Sequence, residues 1–147
     1  MMPVAGKTHY FEDLSVGDEA AMSRTVGEAD IVAYAALSGD YNPVHINAEY
    51  AATTIFKERI AHGILSAGYI SAVFGMQLPG PGSIYISQTL NFRAPVKIDD
   101  VVVTTVKLVE LIPEKKRARF DTVCSVNGKP VLSGEAVLMI PQRPAAA

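Results

Sequence analysis

The sequence predicts an α+β domain in which a curved antiparallel sheet wraps around one long apolar helix. Two observations carry that expectation. The first is the stretch Ile60 to Leu78, apolar almost all round, with Gly63, Ser66, Ala67, Gly68, Ser71, Ala72 and Gly75 interspersed. Its length favours a helix over a strand, and a helix without a polar face is expected to be buried. The second is a switch to a period of two from Ser83 onward, sustained through turn-separated segments to Ile140. A sheet curved over that helix satisfies both patterns.

The chain has 147 residues, which fits one domain at ~100–200 residues per domain. We take 1–147 as a single unit with an ordered core over about 11–140. Hydrophobic residues make up 49%, enough for a sizeable core. Thirteen Lys and Arg against fifteen Asp and Glu leave a net charge of −2. No basic stripe with aromatics appears, so neither nucleic acid nor an acidic membrane surface is an expected partner. The one cysteine, Cys124, alternates with Phe120, Thr122 and Val126, which reads as a buried strand position. No internal disulfide is possible, which suits a reducing compartment, and a cytoplasmic location is expected. Met1 to Thr8 has no signal-peptide apolar core, and no apolar run approaches the ~20 residues of a membrane span. The tail Pro144 to Ala147 reads as a frayed end without a peroxisomal signal.

The elements follow in order. Tyr10 to Asp18 is an irregular entry with a Gly-Asp turn, and Ala20 to Val26 a short strand. Thr25-x-x-Glu28 is a capping-box pattern before a helix over about Gly27 to Leu37, which ends at Ser38-Gly39. Asn47 can cap a short helix through Ala52. Thr53 to Arg59 is a polar link whose charges read as solvated surface. Pro79-Gly80-Pro81-Gly82 stops the apolar helix. Strands are expected over Ser83 to Phe92, Val101 to Ile112, Arg117 to Val126 and Val131 to Ile140. Asp99-Asp100 and Pro113 to Lys116 are turns, and Asn127-Gly128 is a strong hairpin signal. Short turns between successive strands imply antiparallel pairing.

The chemistry concentrates in Tyr34-Ala35-Ala36-Leu37-Ser38-Gly39-Asp40-Tyr41-Asn42-Pro43-Val44-His45. Gly39 can take positive φ, and Pro43 pushes Asn42 toward an extended conformation. Regular structure is not expected here. Asp40 and His45 then lie on a stiff turn where their side chains can converge, the minimum for general acid–base chemistry. The same composition also suits an ordinary turn. Three histidines at 9, 45 and 62 do not make a metal set, and no Gly-rich loop suits a nucleotide.

Extended through Ala51, this stretch resembles the signature of the R-specific enoyl-CoA hydratases of the MaoC-like dehydratase family. Tyr34, Ser38, Gly39, Asp40, Asn42, Pro43, Val44, His45 and Ala51 all match it. The resemblance extends over roughly Phe11 to Ile140, including His62-Gly63 and Leu78-Pro79-Gly80 through Phe92. It implies the hot-dog fold, a homodimer with two sheets joined edge to edge, and an acyl-CoA thioester substrate.

Hydrating an enoyl thioester requires a water aimed at C3, a proton for C2 and stabilisation of charge on the thioester oxygen. The resemblance assigns the first two to Asp40 and His45, with base and acid left open between them. It assigns the third to the Gly63 amide, where a helix start offers free N–H groups. Asn42 is expected to hold the turn. Ser71 matches a hydrogen-bonding serine of the family. His62 reads as a capping histidine, with a pocket residue as the alternative, and His9 as surface. Leu65, Tyr69 and Val73 are candidates for the acyl pocket. Lys115, Lys116, Arg117 and Arg119, and separately Arg93, are candidate phosphate contacts or solvated charges. No redox cofactor is expected, because only water is added, and no metal, because the sequence shows no metal-ligand spacing.

The expected function is therefore an (R)-specific enoyl-CoA hydratase, with polyester precursor supply and fatty-acid breakdown both open as pathways. The rivals are a dehydratase of acyl carrier protein thioesters, a thioesterase and a silent acyl-binding module. A hot-dog thioesterase usually places an acid on the central helix, and His62 to Leu78 contains no Asp or Glu.

Overall fold

The protein is described from a computed structural model over residues 6–145. The expectations placed on residues 1–5 and 146–147 lie outside the described residues. A 3-10 turn at Phe11–Asp13 leads into β1 (Glu19–Thr25), then α1 (Glu28–Ser38), α2 (Pro43–Ile46), α3 (Ala48–Ala52) and α4 (Gly63–Met76). Five strands follow: β2 (Ile84–Gln88), β3 (Asn91–Phe92), β4 (Val101–Ile112), β5 (Arg117–Val126) and β6 (Lys129–Met139). The sheet order is β1-β4-β5-β6-β2, with β3 also on β6, and every pairing is antiparallel.

The long strands form where β-branched residues alternate. Val102, Thr104, Val106 and Leu108 of β4 point inward and are buried. They meet Ala118, Phe120 and Cys124 of β5 and Leu132, Ala136 and Leu138 of β6. Ile70, Val73 and Phe74 of α4 fill the concave face, and Phe74 meets Phe120 edge to face at 5.0 Å. Cys124 is fully buried, as its alternation predicts. Asn127 and Gly128 both take positive φ, at 51° and 77°, as a two-residue hairpin turn of this kind requires.

The apolar helix opens at Gly63, at the expected His62-Gly63 start, and Ile60 and Ala61 before it are extended and pair with Lys97 and Val96. Three expectations need correction. The helix is only half buried. Ile64, Gly68, Ser71, Gly75 and Met76 form an exposed stripe, because the sheet curves over one side only. The strand over Ser83 to Phe92 is broken in two. Gly134 brings the Thr89 carbonyl so close that a Cβ there would meet it at 1.8 Å, and Thr89 bonds to Glu135 across the break. Finally, β2 and β3 pair with β6 and not with β4, their successor in sequence. β4, β5 and β6 are joined by tight turns and β1 occupies the far side of β4, which leaves β6 as the open edge.

Candidate active site

The site is built from the end of α1, the turn after it, α2 and the start of α4. α1 starts on Gly27, whose N–H donates to Asp30 Oδ2 at 2.8 Å. The expected Thr25 cap is not used, because Thr25 is still paired to Val101 in the sheet. α1 ends as predicted on Gly39, with φ of 80°. The next segment is more regular than expected: Pro43 opens the one-turn helix α2, where its missing N–H costs nothing. Asn42 caps that turn by accepting the Val44 N–H at 3.2 Å, the supporting role expected of it. Asn47 likewise caps α3 by accepting from Tyr50 N–H at 3.0 Å.

Asp40 and His45 converge. Asp40 is exposed, and its Oδ1 accepts the Asn42 N–H at 3.2 Å. His45 is buried, and its Nδ1 lies 2.7 Å from the Ile60 carbonyl. A carbonyl only accepts, so Nδ1 carries the proton and Nε2 is the nitrogen left for chemistry. Burial is the main cause holding the His45 imidazole below its ordinary value of 6.5. His62 pushes the same way, while the Ile60 carbonyl and Asp40 pull back. The Arg59 Nε donates to the His45 carbonyl at 2.6 Å, and its Nη1 reaches Glu28 of α1 at 2.6 Å. Arg59 is therefore a strut between α1 and α2, which corrects its reading as solvated charge.

His62 is part of the site too. It occupies the N-cap position of α4, but its side chain makes no cap bond. Only 2% exposed, it stacks on His45 with ring centroids 3.8 Å apart and donates from Nε2 to the Asp40 carbonyl at 2.9 Å. One donor atom from each of Asp40, His45 and His62 lies within 4.8 Å of the others. Carbonyls already occupy His45 Nδ1 and His62 Nε2, and His62 Nδ1 is walled off from solvent, so the cluster is poorly suited to a metal ion.

Gly63 follows His62 directly. Its Cα lies under the Phe92 ring, close enough that a Cβ would meet Cε1 at 2.6 Å. Among the described residues no hydrogen bond takes its N–H. His45, His62 and Gly63 line a cavity of about 470 Å³ whose other walls are mostly apolar, with Phe56, Ile60, Phe92, Val96 and Leu132. Arg93 stands in the lining, its Nε bonded to Ser133 Oγ at 2.7 Å.

The remaining candidates fall elsewhere. Ser71 is exposed on the outer stripe of α4 and does not line this cavity. Ser66 does, one helical turn after Gly63, and its buried Oγ has no partner among the described residues. The i,i+3 spacing from Gly63 was the available signal. Leu65 and Tyr69 are not in the lining either. Leu65 joins the core, and Tyr69 packs against it under Arg24, whereas Phe56, Phe92 and Leu132 are among the apolar residues that line the cavity. Two of the four charges of the basic hairpin are engaged. Arg119 bridges Glu110 and Glu135, and Lys116 lies 5.0 Å from the centre of the Phe11 ring. His9 is half-buried, its backbone N–H donating to the Pro79 carbonyl at 2.8 Å.

Among the described residues no helix is long and apolar enough to cross a membrane. Comparison with known proteins gives a consistent picture. Residues 15–134 match the model of the MaoC like domain. An (R)-specific enoyl-CoA hydratase of Rhodospirillum rubrum is 56% identical over 92% of this chain and 94% of its own. A 3-hydroxybutyryl-CoA dehydratase of Methylorubrum extorquens is 52% identical over 91% of this chain and 85% of its own. Among solved structures, the unliganded R-hydratase PhaJ1 of Pseudomonas aeruginosa superposes with a TM-score of 0.87 at 43% identity, covering 95% of this chain and 92% of that one. With the helix-filled sheet and the Asp40/His45 turn in place, the chain belongs to the MaoC-like dehydratase family and has its hot-dog fold.

Proposed function

We propose that this protein adds water reversibly to trans-2-enoyl-CoA, giving (R)-3-hydroxyacyl-CoA. One observation carries the reading: the Asp40 carboxylate comes within 4.8 Å of the His45 imidazole, which lines a largely apolar cavity beside a glycine amide with no acceptor among the described residues. His45 Nε2 and the Asp40 carboxylate hold one water between them. Its hydroxyl adds to C3, the pair takes up its proton, and the pair returns a proton to C2 on the same face. Positioned acid–base groups of this kind give ~10²–10⁴-fold in rate.

The Gly63 N–H, at the positive end of α4, receives the thioester oxygen as charge develops on it. The apolar walls take the acyl chain, and Arg93, in the cavity lining, is a candidate contact for a phosphate of the carrier. Adding water changes no net oxidation state, so the reaction calls for no redox cofactor, and the carbonyls on His45 Nδ1 and His62 Nε2 argue against a metal in this cluster. The exposed stripe of α4 and the edge strand β2, with Ile84 and Ile86 outward, support a homodimer that covers both. The single buried cysteine fits a cytoplasmic enzyme.

The test follows loss of enoyl-thioester absorbance with crotonyl-CoA for wild type, Asp40→Asn and His45→Gln, and determines product chirality. Formation of the (R)-alcohol, with both variants folded and down by at least ~10²-fold, is expected. Activity confined to an acyl carrier protein ester would move the substrate from coenzyme A to that carrier. Variants as active as wild type would remove the pair from the mechanism.

A further inference from the structure

We infer that His62 is a positioning residue, which holds Asp40 and His45 in register with the Gly63 amide; this rests on the hydratase reading above. Three contacts meet in this one side chain. Its Nε2 donates to the backbone carbonyl of Asp40 at 2.9 Å. Its ring lies on the His45 ring at 3.8 Å with an interplanar angle of 30°. Its backbone is the N-cap of α4, directly before Gly63.

Among the described residues, the turn carrying Asp40 otherwise has only local hydrogen bonds to hold it. Ser38 Oγ accepts the Asp40 N–H at 3.1 Å, and the Asp40 carboxylate accepts the Asn42 N–H. Both bonds travel with the turn if it moves. The His62 bond is different, because it spans 22 residues and ties the turn to the helix that supplies the amide. Tyr34 of α1 closes the other side of the ring at 4.6 Å. With Nε2 committed to a carbonyl and Nδ1 buried without a partner, the ring is held in place and offers no nitrogen to the substrate. It acts on the reaction through Asp40 and His45. A shift of about 1 Å in reacting groups can cost on the order of 10²-fold in rate.

Asparagine and glutamine separate the bond from the volume it occupies. The glutamine amide nitrogen reaches about as far as Nε2, whereas that of asparagine reaches only as far as Nδ1. Both are polar and similar in size, and thermal unfolding reports whether each folds. With crotonyl-CoA, His62→Asn is expected to lose ~10–100-fold in kcat with KM within about twofold. His62→Gln is expected to recover most of that loss. If wild type and His62→Gln and His62→Asn all share one kcat, or if both variants lose equally, the inference is overturned. It is also overturned if the loss falls on KM alone. A wild type inactive on every enoyl thioester would instead overturn the hydratase reading.

Discussion

Substituting Gly63 with alanine separates the amide's role from the helix's stability. The added Cβ would stand 2.6 Å from Cε1 and 2.7 Å from Cδ1 of Phe92. Carbon atoms prefer ~3.5–4.0 Å, so the ring must withdraw by about 1 Å. Phe92 is 54% exposed on a two-residue edge strand, and its ring is the free end of the side chain, so it can move. Alanine also favours the helix by up to about 1 kcal/mol over glycine. Stability should therefore change by no more than about 1 kcal/mol, or ~4 °C in Tm for a chain of this size. Catalysis should change far more. The methyl group and the displaced ring both crowd the approach to the N–H, and loss of such a donor costs ~10²–10³ in kcat. The assay is hydration of crotonyl-CoA beside a thermal melt. Wild-type kcat in a folded Gly63→Ala protein would refute the placement of the thioester oxygen. Adding Phe92→Ala tells the two sources of crowding apart, since recovery there would trace the loss to the ring.

Three further predictions follow from the same geometry. Arg59→Ala removes the strut between His45 and Glu28; with Glu28 exposed, that bond set is worth about 1–2 kcal/mol, and kcat should fall more than KM rises, as denaturant midpoints and steady-state rates will show. His45 is held below 6.5 in the folded chain, so the unfolded chain binds more protons between the two values; stability present above 6.5 should decline as pH falls through the folded value, and His45→Gln should flatten that decline in melts recorded against pH. Ile86→Lys places a charge on the exposed edge strand β2 and should shift the mass measured by light scattering from dimer to monomer.

What could be read from the sequence was what the chain determines locally. Gly39, Asn42 and Asn47 act through bonds spanning four residues or fewer, and each occupies the role its chemistry predicts. The same holds for Asn127-Gly128 and for the alternation of β4. The contacts of His62 and Arg59 are not legible in the sequence because each acts on a distant backbone carbonyl, and a carbonyl looks the same in every residue. The break between β2 and β3 depends on Gly134, far along the chain, and a lone glycine in a strand pattern does not name its neighbour. The buried Ser66 and the exposed Ser71 lie on the same helix, and only the direction in which the sheet curves tells them apart.

The tethers of Asp40 and His45 run to carbonyls, caps and a salt link in residues 28–62, outside the sheet that carries most of the core. α2 and α3 span only Pro43–Ile46 and Ala48–Ala52, too short to persist without these pegs. Such a segment can open while the sheet stays intact, since parts of a fold with few buried apolar contacts open at lower free energy than the core. Amide protons of α2 and α3 would then exchange well ahead of those in β4 and β5. On heating, activity would disappear while the far-ultraviolet signature of the strands persists, because the working parts are fastened to the domain's strongest element without belonging to it.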